Sequence, residues 1–117
     1  MPGMSIHVVD VARGQVARGL RVRVELLTEE GRTMVAEGVI SDDGLLHAPE
    51  IAVELPAGIY DVTFWIGEWL RATGASGPSI SFLDVVPYRF GLADPSAHYH
   101  LPFKFTPWGF SCFRGGA

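Results

Sequence analysis

His98-Tyr99-His100-Leu101-Pro102-Phe103-Lys104-Phe105-Thr106 runs into Pro107-Trp108-Gly109, and Phe110-Ser111-Cys112-Phe113-Arg114 returns before Gly115-Gly116-Ala117. Two runs rich in aromatic residues around a Pro-Trp-Gly turn predict a pair of antiparallel strands. Side chains alternate across a strand, so His98 and His100 share one face, as do Ser111 and Phe113, while Cys112 points the other way. Cys112 therefore reads as core and not as a nucleophile, which would also need a positioned base. The Phe-Arg-Gly-Gly-Ala tail has too little apolar content to be ordinary core, so it either frays or is held in a site.

Working back from this hairpin, strand signals recur at short intervals. Val85 to Phe90 is a strand whose Pro87 belongs at an edge or a bulge, because proline cannot donate to a ladder. Ile59 to Ile66 is the clearest strand of the chain, dense in branched and aromatic residues. Glu68 to Ala72 is the one stretch with helical character, and Gly74 can end it after about two turns. Arg21 to Leu26 alternates polar with apolar, and Thr33 to Ile40 returns from the Glu29-Glu30-Gly31 turn. Ser41 to Gly44 is a turn, Leu45 to Pro49 at best a very short strand, and Gly14 to Gly19 a loop. Ser5 to Asp10 opens the series and carries His7. The expected fold is all-β: a two-sheet sandwich of seven to eight strands with one short helix, one domain over residues 1–117.

Composition narrows the function classes. A net charge of −4 with no basic cluster argues against nucleic acid as a partner. One cysteine allows no internal disulfide and fits a reducing compartment. No export signal is expected in the opening residues, no apolar run is long enough for a membrane helix, and a cytoplasmic location is the default. Charged residues make up only 19%, which leaves surface free for other subunits. Four histidines raise the question of a metal. His98 and His100 have chelating spacing, but a third ligand is not apparent, His47 being most simply a loop residue, so no metal or cofactor is expected. Trp65, Trp69 and Trp108 read as bulk for core or interface. By itself His7 fits a packed structural residue as readily as a catalytic one, and Arg114 fits a solvent-exposed terminal arginine.

Three stretches together resemble the transthyretin-like family. Ile6-His7-Val8-Val9-Asp10 with Ala12-Arg13-Gly14 and Arg21 to Val24 resembles its opening. Tyr88-Arg89-Phe90 through Ala93-Asp94-Pro95 to His98-Tyr99-His100-Leu101-Pro102 resembles its C-terminal half, and Thr106 to Ser111 with Phe113-Arg114-Gly115 resembles its terminal Tyr-Arg-Gly-Ser signature. The resemblance implies a transthyretin-like sandwich assembled as a homotetramer, with a channel between paired subunits that takes a small-molecule substrate. Its enzymatic branch, 5-hydroxyisourate hydrolase, gathers two histidines, an arginine and the terminal tetrapeptide in that channel. By motif the histidines are His7 and His100, implied to be catalytic and expected to be brought together through the assembly, with His98 as neighbouring support. Arg114, Leu45, Ser111, Phe113, Gly115 and Gly116 fall at positions implied to contact substrate. Two departures stand out. The family arginine that follows the Asp-Gly turn is Leu45 here, after Asp43-Gly44, and the tail lacks both the tyrosine and the serine hydroxyls. The implied activity is ring opening of a cyclic amide or imide in purine breakdown. The alternatives are a ring-opening or cyclising enzyme on a less polar substrate, and a non-enzymatic binder using the channel.

Overall fold

Alternation decides which side of each strand is buried. In β1 (Gly3–Asp10), Met4, Ile6, Val8 and Asp10 point inward while Ser5, His7 and Val9 face out. The computed structural model describes residues 2–75 and 77–116, and the terminal Ala117 lies outside them. The remaining elements are β2 (Gln15–Val16), β3 (Arg21–Thr28), β4 (Gly31–Val39), β5 (Gly58–Trp65), α1 (Ile66–Ala72), β6 (Val85–Leu92), β7 (His98–Thr106) and β8 (Gly109–Cys112). They form two four-stranded sheets, ordered β2-β1-β7-β8 and β4-β3-β5-β6. This is the expected all-β, two-sheet sandwich of eight strands with one short α-helix.

The core lies between the sheets. Phe64 of β5 stacks on Phe103 of β7 with ring centroids 3.9 Å apart, and Trp69 of α1 meets Phe105 edge-on at 5.7 Å. Rings bury large apolar areas, so this inter-sheet layer carries much of the stabilisation. Cys112 faces the same layer, and burial pushes its thiol up to about 11, which leaves it an inert apolar filler at neutral pH.

Three local features differ from the sequence reading. The Gly14–Gly19 loop holds β2, whose two residues pair with Val9 and Asp10 and are too few to show alternation. A 3-10 turn occupies Pro49–Ile51, with proline in its first turn, where a missing N–H costs nothing. The helix begins at Ile66, directly from the end of β5. Pro87 lies on β6, the edge strand of its sheet, as its missing donor requires. No helix among the described residues is long and apolar enough to cross a membrane.

The pairing that positions the site is β1 with β7. These strands, separated by most of the chain, are parallel neighbours, with Ser5 opposite His100 and His7 opposite Pro102.

Candidate active site

The outer face of the β2-β1-β7-β8 sheet collects Ser5 and His7 from β1 with His98 and His100 from β7. Each of these four side chains is half-buried. Parallel registration makes His7 and His100 diagonal neighbours within a single chain, so no second subunit is needed to bring them together.

Ser5 Oγ lies 2.6 Å from His100 Nδ1 and 2.8 Å from His98 Nε2. The direction of this chain is set at its far end. The Pro2 carbonyl, 3.5 Å from His98 Nδ1, can only accept, which favours the His98 tautomer with its proton on Nδ1 and its lone pair on Nε2. Ser5 then donates its hydroxyl proton to His98 and accepts from His100 Nδ1–H. His100 Nε2 is left as a free lone pair on the open face. Burial holds His100 below the ordinary histidine value, and the nearness of His7 and His98, whose protonation would oppose its own, lowers it further. His100 is therefore a neutral base at neutral pH.

His7 Nε2 donates to the Asp43 carbonyl at 3.2 Å, which leaves Nδ1 directed elsewhere. The turn that supplies this carbonyl depends on Gly44. Its φ is +83°, and a Cβ there would stand 2.5 Å from His7 Nε2. Asp43 closes the turn by accepting from Leu45 N at 3.0 Å and pairs with His47 Nε2 at 2.7 Å. These two bonds, the Leu45 amide first, hold its carboxyl below the usual carboxylate range. Leu45 bridges to His7, so its side chain stands beside the imidazole on the same face. His47, Leu45, Ser5 and His98 line a groove of about 460 Å³ along this edge.

The tail is held. β8 pairs with β7 as far as Cys112 opposite Phe103, and the same register resumes at Gly115, whose N–H donates to the His100 carbonyl at 2.7 Å. The lapse between them falls at Pro102, which has no N–H to give. Gly115 packs against the imidazole, since a Cβ there would meet His100 Cδ2 at 2.8 Å. By register Ser111, Phe113 and Gly115 edge the histidine face, and Gly116 lies exposed beyond the last bridge. Arg114 falls on the opposite side of the strand. Its guanidinium sits 4.0 Å over the Tyr99 ring and its Nη2 donates to the His98 carbonyl at 3.2 Å.

A sequence model of the HIUase/transthyretin family matches residues 4–115. The chain belongs to this family. It is 42% identical over 116 residues to the 5-hydroxyisourate hydrolase of Deinococcus radiodurans, covering 97% of this chain and 96% of that protein. The fold superposes on the 5-hydroxyisourate hydrolase of Klebsiella pneumoniae with a TM-score of 0.80 at 30% identity, covering 99% of this chain and 100% of that one. It also superposes on an (S)-allantoin synthase with a TM-score of 0.88 at 35% identity. There it covers 97% of this chain but spans only 43% of that longer protein.

Sequence reasoning missed Ser5 and the Asp43 carbonyl. Ser5 was findable, since it shares the outward parity of His7 two residues earlier. The carbonyl was not, because a backbone acceptor leaves no mark on residue type.

Proposed function

We propose that this chain is a 5-hydroxyisourate hydrolase, opening a cyclic amide bond with the pair His100 and His7. The observation that carries the reading is the His98–Ser5–His100 chain, which leaves the His100 Nε2 lone pair free beside His7. His100 takes a proton from water, and the resulting hydroxide forms a C–O bond at the ring carbonyl. The C–N bond then breaks, the leaving nitrogen takes a proton from His7, whose Nε2 is anchored on Asp43, and the proton held by His100 returns through solvent to His7. One water is consumed and a carboxylate is produced. Two histidines suit this exchange because both protonation states are reachable near neutral pH. Arg114, with its contacts to Tyr99 and the His98 carbonyl, secures the tail. Ser111, Phe113 and Gly115 form the wall beside the ring. The working assembly is a cytoplasmic homotetramer, supported by family membership and by the absence of any cysteine pair in the sequence.

A second reading is favoured by Leu45, which stands beside His7 where a cation would grip substrate oxygens. A less polar cyclic amide fits that position better. One experiment addresses both readings. 5-Hydroxyisourate is generated in place by urate oxidase, and its decay is followed with the wild-type chain and with Leu45→Arg. Acceleration by the wild type supports the first reading. Acceleration only with Leu45→Arg supports the second, and none with either removes the ring-opening assignment for this substrate.

A further inference from the structure

Lys104 is the only lysine of the chain, whose other eight Lys/Arg side chains are all arginines. It sits on β7 with its side chain on the same outer face as His100, separated from it only by Pro102 on that face. Its neighbours across the sheet are Val9 of β1 and Ser111 of β8. It forms no ion pair among the described residues. With Ser111, Thr106 and Val11 it borders a depression of about 280 Å³.

A solvated lysine on a sheet edge is ordinary, but this one is not on an edge. β7 is flanked by β1 and β8, and the ammonium there stands among Val9, Pro102 and Ser111, on the face that carries the histidines. No Asp or Glu stands on the outward positions of β1, β7 or β8 to neutralise it. Two other basic side chains near the face are committed elsewhere: Arg114 to Tyr99 and the His98 carbonyl, His47 to Asp43. Strand spacing and rise put the Lys104 and His7 Cα atoms about 8 Å apart, within reach of a lysine stem leaning along the sheet.

We propose that Lys104 is the substrate-anchoring cation of this site, gripping an anionic or carbonyl oxygen of the ring while His100 and His7 act on the amide. The role rests on the ring-opening reading above. It makes Lys104 a specificity-determining residue, supplying from β7 the positive charge that Leu45 does not supply from the turn.

The test measures KM and kcat for 5-hydroxyisourate at low and high ionic strength, with assembly mass by light scattering, for the wild type, Lys104→Gln and Lys104→Arg. Loss of a charge-assisted hydrogen bond is expected to raise KM about tenfold in Lys104→Gln, with kcat much less affected. Lys104→Arg is expected to recover most of the affinity. The wild-type KM is expected to rise with salt and the Gln variant's to be flat. A wild-type KM and salt dependence in Lys104→Gln would overturn the inference and leave the ring-opening reading intact. So would a KM rise that accompanies loss of the assembly and is not recovered by arginine. A wild-type chain that fails to accelerate the decay removes both.

Discussion

The outer faces of the two sheets are built on opposite electrostatic plans. On β4-β3-β5-β6 the charges are neutralised in place. The Asp61 carboxylate, 3% exposed, is held by Arg89 Nε at 2.8 Å and Arg32 Nη1 at 2.7 Å, and Arg23 pairs with Glu37 at 2.7 Å. On β2-β1-β7-β8 there are three histidines, two serines and a lysine, and the outward strand positions carry no acid. Neutralised charges fix cross-strand register and leave little field for a ligand. Uncompensated donors and titratable rings on a partly buried face hold a field that a polar or anionic molecule can satisfy. The chain thus keeps its ion pairs on one sheet and its histidines on the other.

Removing His100 is the strongest way to break this contrast. His100→Ala is expected to lower kcat by about 10²–10⁴, the usual contribution of a positioned general base. Its unfolding midpoint should stay near that of the wild type. In the wild type, burial and the neighbouring histidines hold His100 below the ordinary histidine value. The acid limb of kcat/KM should therefore lie below about pH 6.5. A limb at or above that value, or activity retained without His100, would mean that the histidine face is not the catalytic one.

Much of this contrast was legible in the residue order. The alternation of Arg21 to Leu26 and the paired histidines of the His98 stretch both report faces, because period two is a local property. The apposition of β1 with β7 is not local. Nothing within Ser5 to Asp10 says that its partner lies more than ninety residues on, or that the pairing is parallel. Only that register puts Ser5 between two imidazoles and Val9 beside Lys104. Arg114 shows the reverse case. Strand parity from Ser111 and Cys112 puts it on the side opposite the histidines, and the structure stacks its exposed guanidinium there over Tyr99, whereas motif position alone assigns it to the channel.

The neutralised face should fail in stability and not in rate. Asp61→Asn removes the carboxylate that both arginines share, and unfolding stability is expected to fall by about 2 kcal/mol with kcat unchanged. Arg32 and Arg89 are half-exposed, which keeps the loss below that of a fully buried pair. Hydrogen bonds from Arg89 and then Arg32 lower the Asp61 pKa, opposed by desolvation. The folded state therefore binds that proton less readily than the unfolded chain. The pair's contribution is present above the unfolded value near pH 4 and disappears as pH falls through the lower folded value. Urea titrations between pH 3 and 7 should show the wild type losing stability toward acid more steeply than Asp61→Asn. Parallel curves would mean that the two arginines are satisfied by water.

The smallest expected effect tests the finest distinction on the histidine face, between a base that is merely present and one whose tautomer is held. Ser5→Ala leaves His7, His100 and Lys104 in place and removes only the hydroxyl linking His100 Nδ1 to His98 Nε2. A neutral hydrogen bond contributes about 1 kcal/mol net, so kcat should fall about fivefold with KM unchanged, and Ser5→Thr should recover it. Nitrogen NMR of the His100 ring supplies the readout that a packing defect would not move. The wild type should show the proton on Nδ1 and the lone pair on Nε2, and Ser5→Ala a mixture of the two tautomers. If the wild-type ring carries its proton on Nε2, the lone pair faces Ser5 and not the open site. His100 would then be the proton donor, and the two histidines would exchange roles.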